Sequence, residues 1–160
     1  MAKRKSGKDA KGSTVAFHRR ARFDYEIESR YDAGIVLVGT EIKSIREGQV
    51  TLSEGFARFR GHELYLYNVH IAHYGPAREN HELTRTRKLL LHRRELNRLR
   101  QMMQEQPRAT VVPLRMYLYN GLAKVEIGFG RGRRRYDKRQ AIKKRETDRD
   151  MQRAVRHAQR

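Results

Sequence analysis

The chain of 160 residues contains no cysteine and no tryptophan. Without thiols it can form neither a disulfide nor a thiolate metal site, which suits a cytoplasmic setting. Long apolar runs are missing too. The longest, Ile35–Val38 and Leu89–Leu91, fall far short of the roughly 20 residues that span a bilayer. The opening stretch MAKRKSGKDAKGS lacks the apolar core of a secretory signal.

Catalytic patterns are equally scarce. The five serines sit in no nucleophile motif, and no carboxylate pair is set up for hydrolysis. His70 and His73 have HxxH spacing, with Glu79, His81 and Glu82 nearby. A zinc site needs three or four ligands with supporting hydrogen bonds, so these read as loop histidines. Glycines 128, 130 and 132 lack the strand-to-helix context of a nucleotide loop, and read as places where the backbone leaves the sheet and approaches a phosphate. No enzyme, metal or cofactor is expected.

What the chain has in excess is positive charge, +19 in total. Residues 1–22 carry eight Lys/Arg against one Asp, and residues 131–160 carry thirteen against four. The stretch between them is nearly balanced. A near-neutral body with two basic arms is the outline of a nucleic-acid binder.

Along the chain, residues 1–13 have nothing to pack and are expected to be a disordered arm. From Phe23 a period of two puts Phe23, Tyr25, Ile27 and Tyr31 on one face of a strand. Asp32-Ala33-Gly34 interrupts it, and Ile35–Val38 reads as a second strand covered on both sides. Thr40 caps a short helix over Glu41–Glu47, with Ile42 and Ile45 inward and Gly48 as its stop. Phe56–Phe59 and Leu64–Tyr67 form a hairpin, followed by a loop across Val69–Leu83. Leu89–Gln106 reads as one long helix with a Leu96, Leu99, Met103 stripe, ended by Pro107.

Val111–Tyr119 and Leu122–Phe129 make the clearest hairpin, turning at Asn120-Gly121, a pair suited to type I′ geometry. Val112, Leu114, Met116 and Leu118 are expected on one face, answered by Ala123, Val125, Ile127 and Phe129. About six short strands with one long and one short helix predict a mainly β fold, an OB-like antiparallel barrel over residues 14–130. A split sheet with helices on one side fits the same pattern. Residues 131–160 have few apolar side chains but many helix formers, which predicts a tail that is disordered alone and helical against RNA.

Four blocks, taken in order, then carry a resemblance. They are Arg19-Arg20-Ala21-Arg22 with Tyr25; Ala33-Gly34 with Gly39-x-Glu41-Ile42-Lys43-Ser44; the stretch Thr84 to Leu91, TRTRKLLL; and Lys124-x-x-x-Gly128 with Gly130-x-Gly132 and Asp137-Lys138-Arg139. Together they resemble the SsrA-binding protein family (small protein B), partners of transfer-messenger RNA in trans-translation. The resemblance implies an adaptor whose OB-like body grips the tRNA-like domain of that RNA. Its tail would enter the stalled ribosome, at the decoding centre and the empty message channel of the small subunit.

On that footing Arg19, Arg20, Arg22, Gly34, Gly39, Glu41, Lys43, Arg87, Lys88 and Lys124 are expected at the body's RNA surface. Gly130, Gly132, Tyr136, Asp137, Lys138 and Arg139 are expected at the ribosome, with Lys138 and Arg139 clamping phosphates and Tyr136 stacking on a base. His18 stands where the family usually has Asn, and Asp32 where it usually has Glu. Competing readings are a ribosomal or general single-stranded-RNA-binding OB module, a nuclease using His70, His73 and Glu79, and a nucleoid-type DNA binder.

Overall fold

The computed structural model describes residues 12–133 and 135–158, with side chains at 135–137 outside that description. In chain order the elements are β1 Ser13–Phe17, α1 Ala21–Asp24, β2 Tyr25–Ile35, α2 Gly39–Arg46 and β3 Val50–Thr51. Then come β4 Phe56–Arg60, β5 Glu63–Tyr67, β6 His70–Ile71 and β7 Arg87–Leu90. The last four are α3 Arg93–Glu105, β8 Ala109–Tyr119, β9 Leu122–Gly132 and α4 Arg135–Ala158.

Seven strands form one antiparallel sheet in the order β1-β8-β4-β5-β7-β2-β9, and β8 also pairs with β9. β8 manages three neighbours because it is long. Its N-terminal end meets β4 at Val111, while residues 115–118 meet β1. β3 and β6 form a separate two-stranded ladder. Ala33, Leu64, Leu66, Leu89, Leu99, Met116, Val125, Ile127 and Phe129 pack one apolar interior, to which no described residue beyond Phe129 contributes.

The Asn120-Gly121 hairpin forms as expected, with both residues at positive φ (49° and 75°) and Tyr119 opposite Leu122. Its faces do not follow simple alternation. A bulge between Pro113 and Arg115 shifts the register, so Val111 faces Phe129 and Met116 faces Val125, both towards the interior. Val112 and Leu114 therefore point the other way. Leu114 meets Ile27 around Gly128 on the outer side, as the contacts of a Cβ built at Gly128 show.

A second bulge, between Ile27 and Ser29, does the same to β2. Ile27 is turned outward, opposite Gly130, while Tyr31 stays inward, opposite Ile127.

Four further expectations are corrected. Phe23 belongs to the single turn α1 and not to a strand. Asp32-Ala33-Gly34 does not interrupt β2, because all three pair with β9 and Ala33 is fully buried. Val36 and Val38 are 45% and 44% exposed, outside any strand. Leu89 and Leu90 lie in β7, so α3 begins only at Arg93.

Both middle helices start with a glutamate that reaches back to an open backbone N–H. Glu41 accepts from Val38 at 2.9 Å and Glu95 from His92 at 3.2 Å. Thr40 is not the cap; its hydroxyl contacts His81 Nδ1 at 2.8 Å. β9 runs on through Gly132, past the boundary expected at 130. The tail expected to be disordered alone is helical here over Arg135–Ala158, and its first turns rest against α1 through Lys138.

Candidate RNA interface

Across the outer face, three strands bring one row of residues together. Lys124 of β9 stands opposite Gly34 of β2, which stands opposite Leu90 of β7. Just past the end of β2, the Val36 N–H donates to the Lys88 carbonyl at 3.0 Å. Lys88 in turn faces Tyr65 of β5.

Glycine at the centre of the upper row leaves a trough between a cation and an apolar side chain. A Cβ at Gly34 would stand 3.3 Å from that of Leu90. Leu90 is 50% exposed, like Val36 and Val38 an apolar group left open to water. Cations that meet phosphates beside apolar surface that meets sugars and base faces are the two components of RNA recognition. Lys124 sits 5.3 Å over the Tyr119 ring, and Lys88 pairs with Glu63 at 3.0 Å.

Next to the trough, Asp32 accepts a hydrogen bond from the Tyr117 hydroxyl at 2.8 Å. Burial, and then the Asp32 carboxylate, push the Tyr117 phenol up to about 12, so it remains a donor at any physiological pH. Arg115 covers the ring at 4.7 Å and pairs with Glu126 at 2.7 Å. The tyrosine therefore fixes the direction of an aspartate one methylene shorter than the glutamate expected there.

Two expected contacts turn out to be internal. Arg87 has no exposed surface, and its guanidinium is committed to Glu41 at 2.8 Å, to the Val69 carbonyl at 2.7 Å and to the Leu83 carbonyl at 3.3 Å. Glu41, also fully buried, receives Arg85 as well, at 2.8 and 3.0 Å. Burial alone would raise the Glu41 carboxyl, but the bonds from Arg85, the Val38 N–H and Arg87 outweigh it and hold it below its ordinary value. Glu41 and Arg87 tie α2 to the loop ahead of β7 and offer nothing to a phosphate. The signal was available: in a strand that buries Leu89, period two buries Arg87 and turns out Lys88 and Leu90.

Gly130 is a correction of the same kind. It is buried in β9, and a Cβ there would lie 2.0 Å from the Glu26 carbonyl oxygen. The close approach it permits is to the protein's own β2, not to a phosphate. Gly132 is exposed with open space beside it, and Gly39 starts α2 in the open. Lys43 is exposed on α2, 5.3 Å over Tyr74.

Arg19, Arg20 and Arg22 are exposed, but they do not join the trough. They stand at the opposite end of β2 from Gly34, roughly 30 Å away at about 3.3 Å per residue. There Arg20 and Arg22 come close to the tail. Arg22, Phe23 and Arg133 face Lys143, Lys144 and Arg145 across a cleft between α1 and α4. His18, just ahead of them, is buried, its N–H on the Leu114 carbonyl at 2.8 Å and its Nδ1 3.1 Å from the Pro113 carbonyl. Lys138 pairs with Asp24 at 3.2 Å and Arg139 is exposed. The side chains of Tyr136 and Asp137 lie outside the described residues.

His70 and His73 are exposed, whereas His81 is buried with Nε2 2.9 Å from the Ile71 carbonyl and Nδ1 on Thr40. His81 thereby pins the loop that precedes β7 onto α2. Among the described residues no group of three or more His, Asp or Glu is placed to hold a metal ion.

Comparison with known proteins identifies the family and the fold. A family model described as "SmpB protein" matches residues 15–157. The SsrA-binding protein of Geobacillus thermodenitrificans (strain NG80-2) is 50% identical over 149 residues, covering 92% of this chain and 96% of its own. That of Synechococcus sp. (strain JA-3-3Ab) is 52% identical over the same shares. A solved structure described as "tmRNA-SmpB: a journey to the center of the bacterial ribosome" is similar with a TM-score of 0.64 and 46% identity, over 79% of this chain and 93% of that one.

Proposed function

The chain belongs to the SmpB protein family, and from that membership we propose a division of labour along β2, the trough end binding one RNA and the α4 end acting on another. The protein is an RNA-binding adaptor of trans-translation that delivers transfer-messenger RNA to stalled ribosomes, and it is not an enzyme. Its partners are that RNA and the ribosome, which implies a cytoplasmic location.

The observation that carries the division is the roughly 30 Å between the Lys124–Gly34–Leu90 row and the cationic helix α4. The trough, with Lys88 beside it and Lys43 on α2, takes the tRNA-like domain by shape and backbone contacts. The pairing cycle from β8 through β4, β5, β7, β2 and β9 back to β8 supports an OB-like barrel as the body that presents it.

α4, with 24 residues, is about 36 Å long and carries its cations along its whole length. That length and charge suit the decoding centre and the message channel left empty beyond it. Lys138 and Arg139 take ribosomal RNA phosphates, and Gly132 gives the strand a free exit towards the helix.

Removal of residues 134–160, which leaves every core residue and the whole of β9, tests this. The shortened protein keeps its affinity for the tRNA-like domain and loses tagging of nascent chains on stalled ribosomes. Loss of the RNA complex on the same deletion contradicts the division.

A further inference from the structure

Three contacts from beyond the strand β9 or from its own helix converge on one short turn. The backbone N–H of Arg133, the first residue past β9, donates to the Asp24 carbonyl at 2.8 Å. The Asp24 carboxylate holds Lys138 of α4 at 3.2 Å through one oxygen and Arg20 at 3.8 Å through the other. The neighbouring Phe23 ring lies between the same two cations, 5.9 Å from the Arg20 guanidinium carbon and 5.9 Å from the Lys138 ammonium.

Charge makes this arrangement informative. Arg22 and Arg133 on one wall of the cleft face Lys143, Lys144 and Arg145 on the other, with Asp148 the one acid among the described lining residues. Like charges across a cleft push its walls apart, so α4 would swing away from the body unless something opposed it. Asp24 is the carboxylate on the body side that does so. A half-exposed ion pair adds little to stability. Its effect here is on direction: it decides where a 24-residue helix points as it leaves the last strand.

We propose that Asp24, assisted by Phe23, is a positioning residue that aims α4 from the body and so sets where the tail arrives when the trough is already occupied by RNA. It touches neither RNA. Anchoring raises the effective concentration of the tail at its own site, and releasing the anchor spreads the tail over many directions. The proposal rests on the reading that body and tail serve separate RNA sites.

The full-length chain lends itself to the test because it has no cysteine. Leu122→Cys at the start of β9 and Met151→Cys on α4, at positions 66% and 64% exposed, accept a pair of spin labels. Three forms are compared in that background: the otherwise unchanged chain, Asp24→Asn and Asp24→Glu. Each is measured for label-to-label distance distribution, affinity for the isolated tRNA-like domain, and tagging on stalled ribosomes.

The expected result is a narrow distribution that broadens in Asp24→Asn, affinity within about twofold, and tagging lowered about tenfold. Asp24→Glu restores both distance and tagging. Unchanged tagging in Asp24→Asn, an unchanged distance distribution, or affinity falling in step with tagging each overturns the proposal. If the unsubstituted chain fails to tag at all, the division of labour falls and the proposal with it; indifference to Asp24 in a chain that tags normally removes the proposal alone.

Discussion

Arg87 Nε and Glu41 Oε1 meet at 2.8 Å with neither side chain reaching solvent. The second arginine of the basic block TRTRK thus serves the interior, and the lysine after it is the one turned outward. Removing one member of a buried ion pair leaves the other uncompensated, which costs about 3–5 kcal/mol. Glu41→Gln is therefore expected to lower unfolding stability in urea by about that amount at pH 7. Arg87→Lys, which keeps the charge and loses the fork, is expected to destabilise while leaving the salt dependence of RNA binding unchanged in the folded protein. A flatter salt slope in Arg87→Lys would mean that Arg87 reaches a phosphate after all.

The same pair gives a pH dependence. The Glu41 carboxyl titrates below its ordinary value of 4.5 in the fold, so its contribution is complete above about pH 4.5 and is lost as pH falls through the folded-state value. Stability measured by urea melts at descending pH should fall in that acid window for the unchanged chain. Glu41→Gln, already lacking the contribution, should show a shallower fall there.

Glycine substitutions separate close packing from RNA contact. Gly130→Ala drives a Cβ against the Glu26 carbonyl, a backbone atom that cannot step aside, and is expected to cost about 3 kcal/mol. Gly132→Ala, with open space around it, should stay within about 0.5 kcal/mol. Equal stability of the two variants in thermal melts would contradict the β2–β9 register.

Surface lysines should behave oppositely to Arg87. Lys43→Ala with Lys88→Ala removes two outward cations, and is expected to flatten the slope of log affinity against log salt by about 2. Stability should barely change, because the pair of Lys88 with Glu63 is exposed. An unchanged slope would take both lysines off the RNA surface.

Much of this architecture is legible in the residues, and its failures share a cause. The Asn120-Gly121 turn, the β4–β5 hairpin and the inward Ile45 follow from local chemistry, which needs no knowledge of neighbours. The bulges at Ile27–Ser29 and Pro113–Arg115 do not, because an extra residue is accommodated by the partner strand. They reverse the faces of Ile27, Val112 and Leu114. Val36 and Val38 read as core by hydropathy alone, yet both lie exposed outside the sheet, Val36 bonded through its N–H to the Lys88 carbonyl. A list of cations drawn from sequence mixes three populations: Arg87 in the interior, Lys88 and Lys124 at the trough, and Arg20 and Arg22 at the foot of the tail. Only pairing across strands separates them.

The central claim is that the body alone selects one folded RNA. A competition gel shift at near-physiological salt measures this directly, using the full chain and residues 1–133. Labelled transfer-messenger RNA competes against excess ordinary tRNA and excess duplex DNA. Both proteins are expected to hold transfer-messenger RNA against both competitors, with affinities within a few-fold of each other. Equal displacement by all three nucleic acids, or selectivity confined to the full chain, would contradict the account.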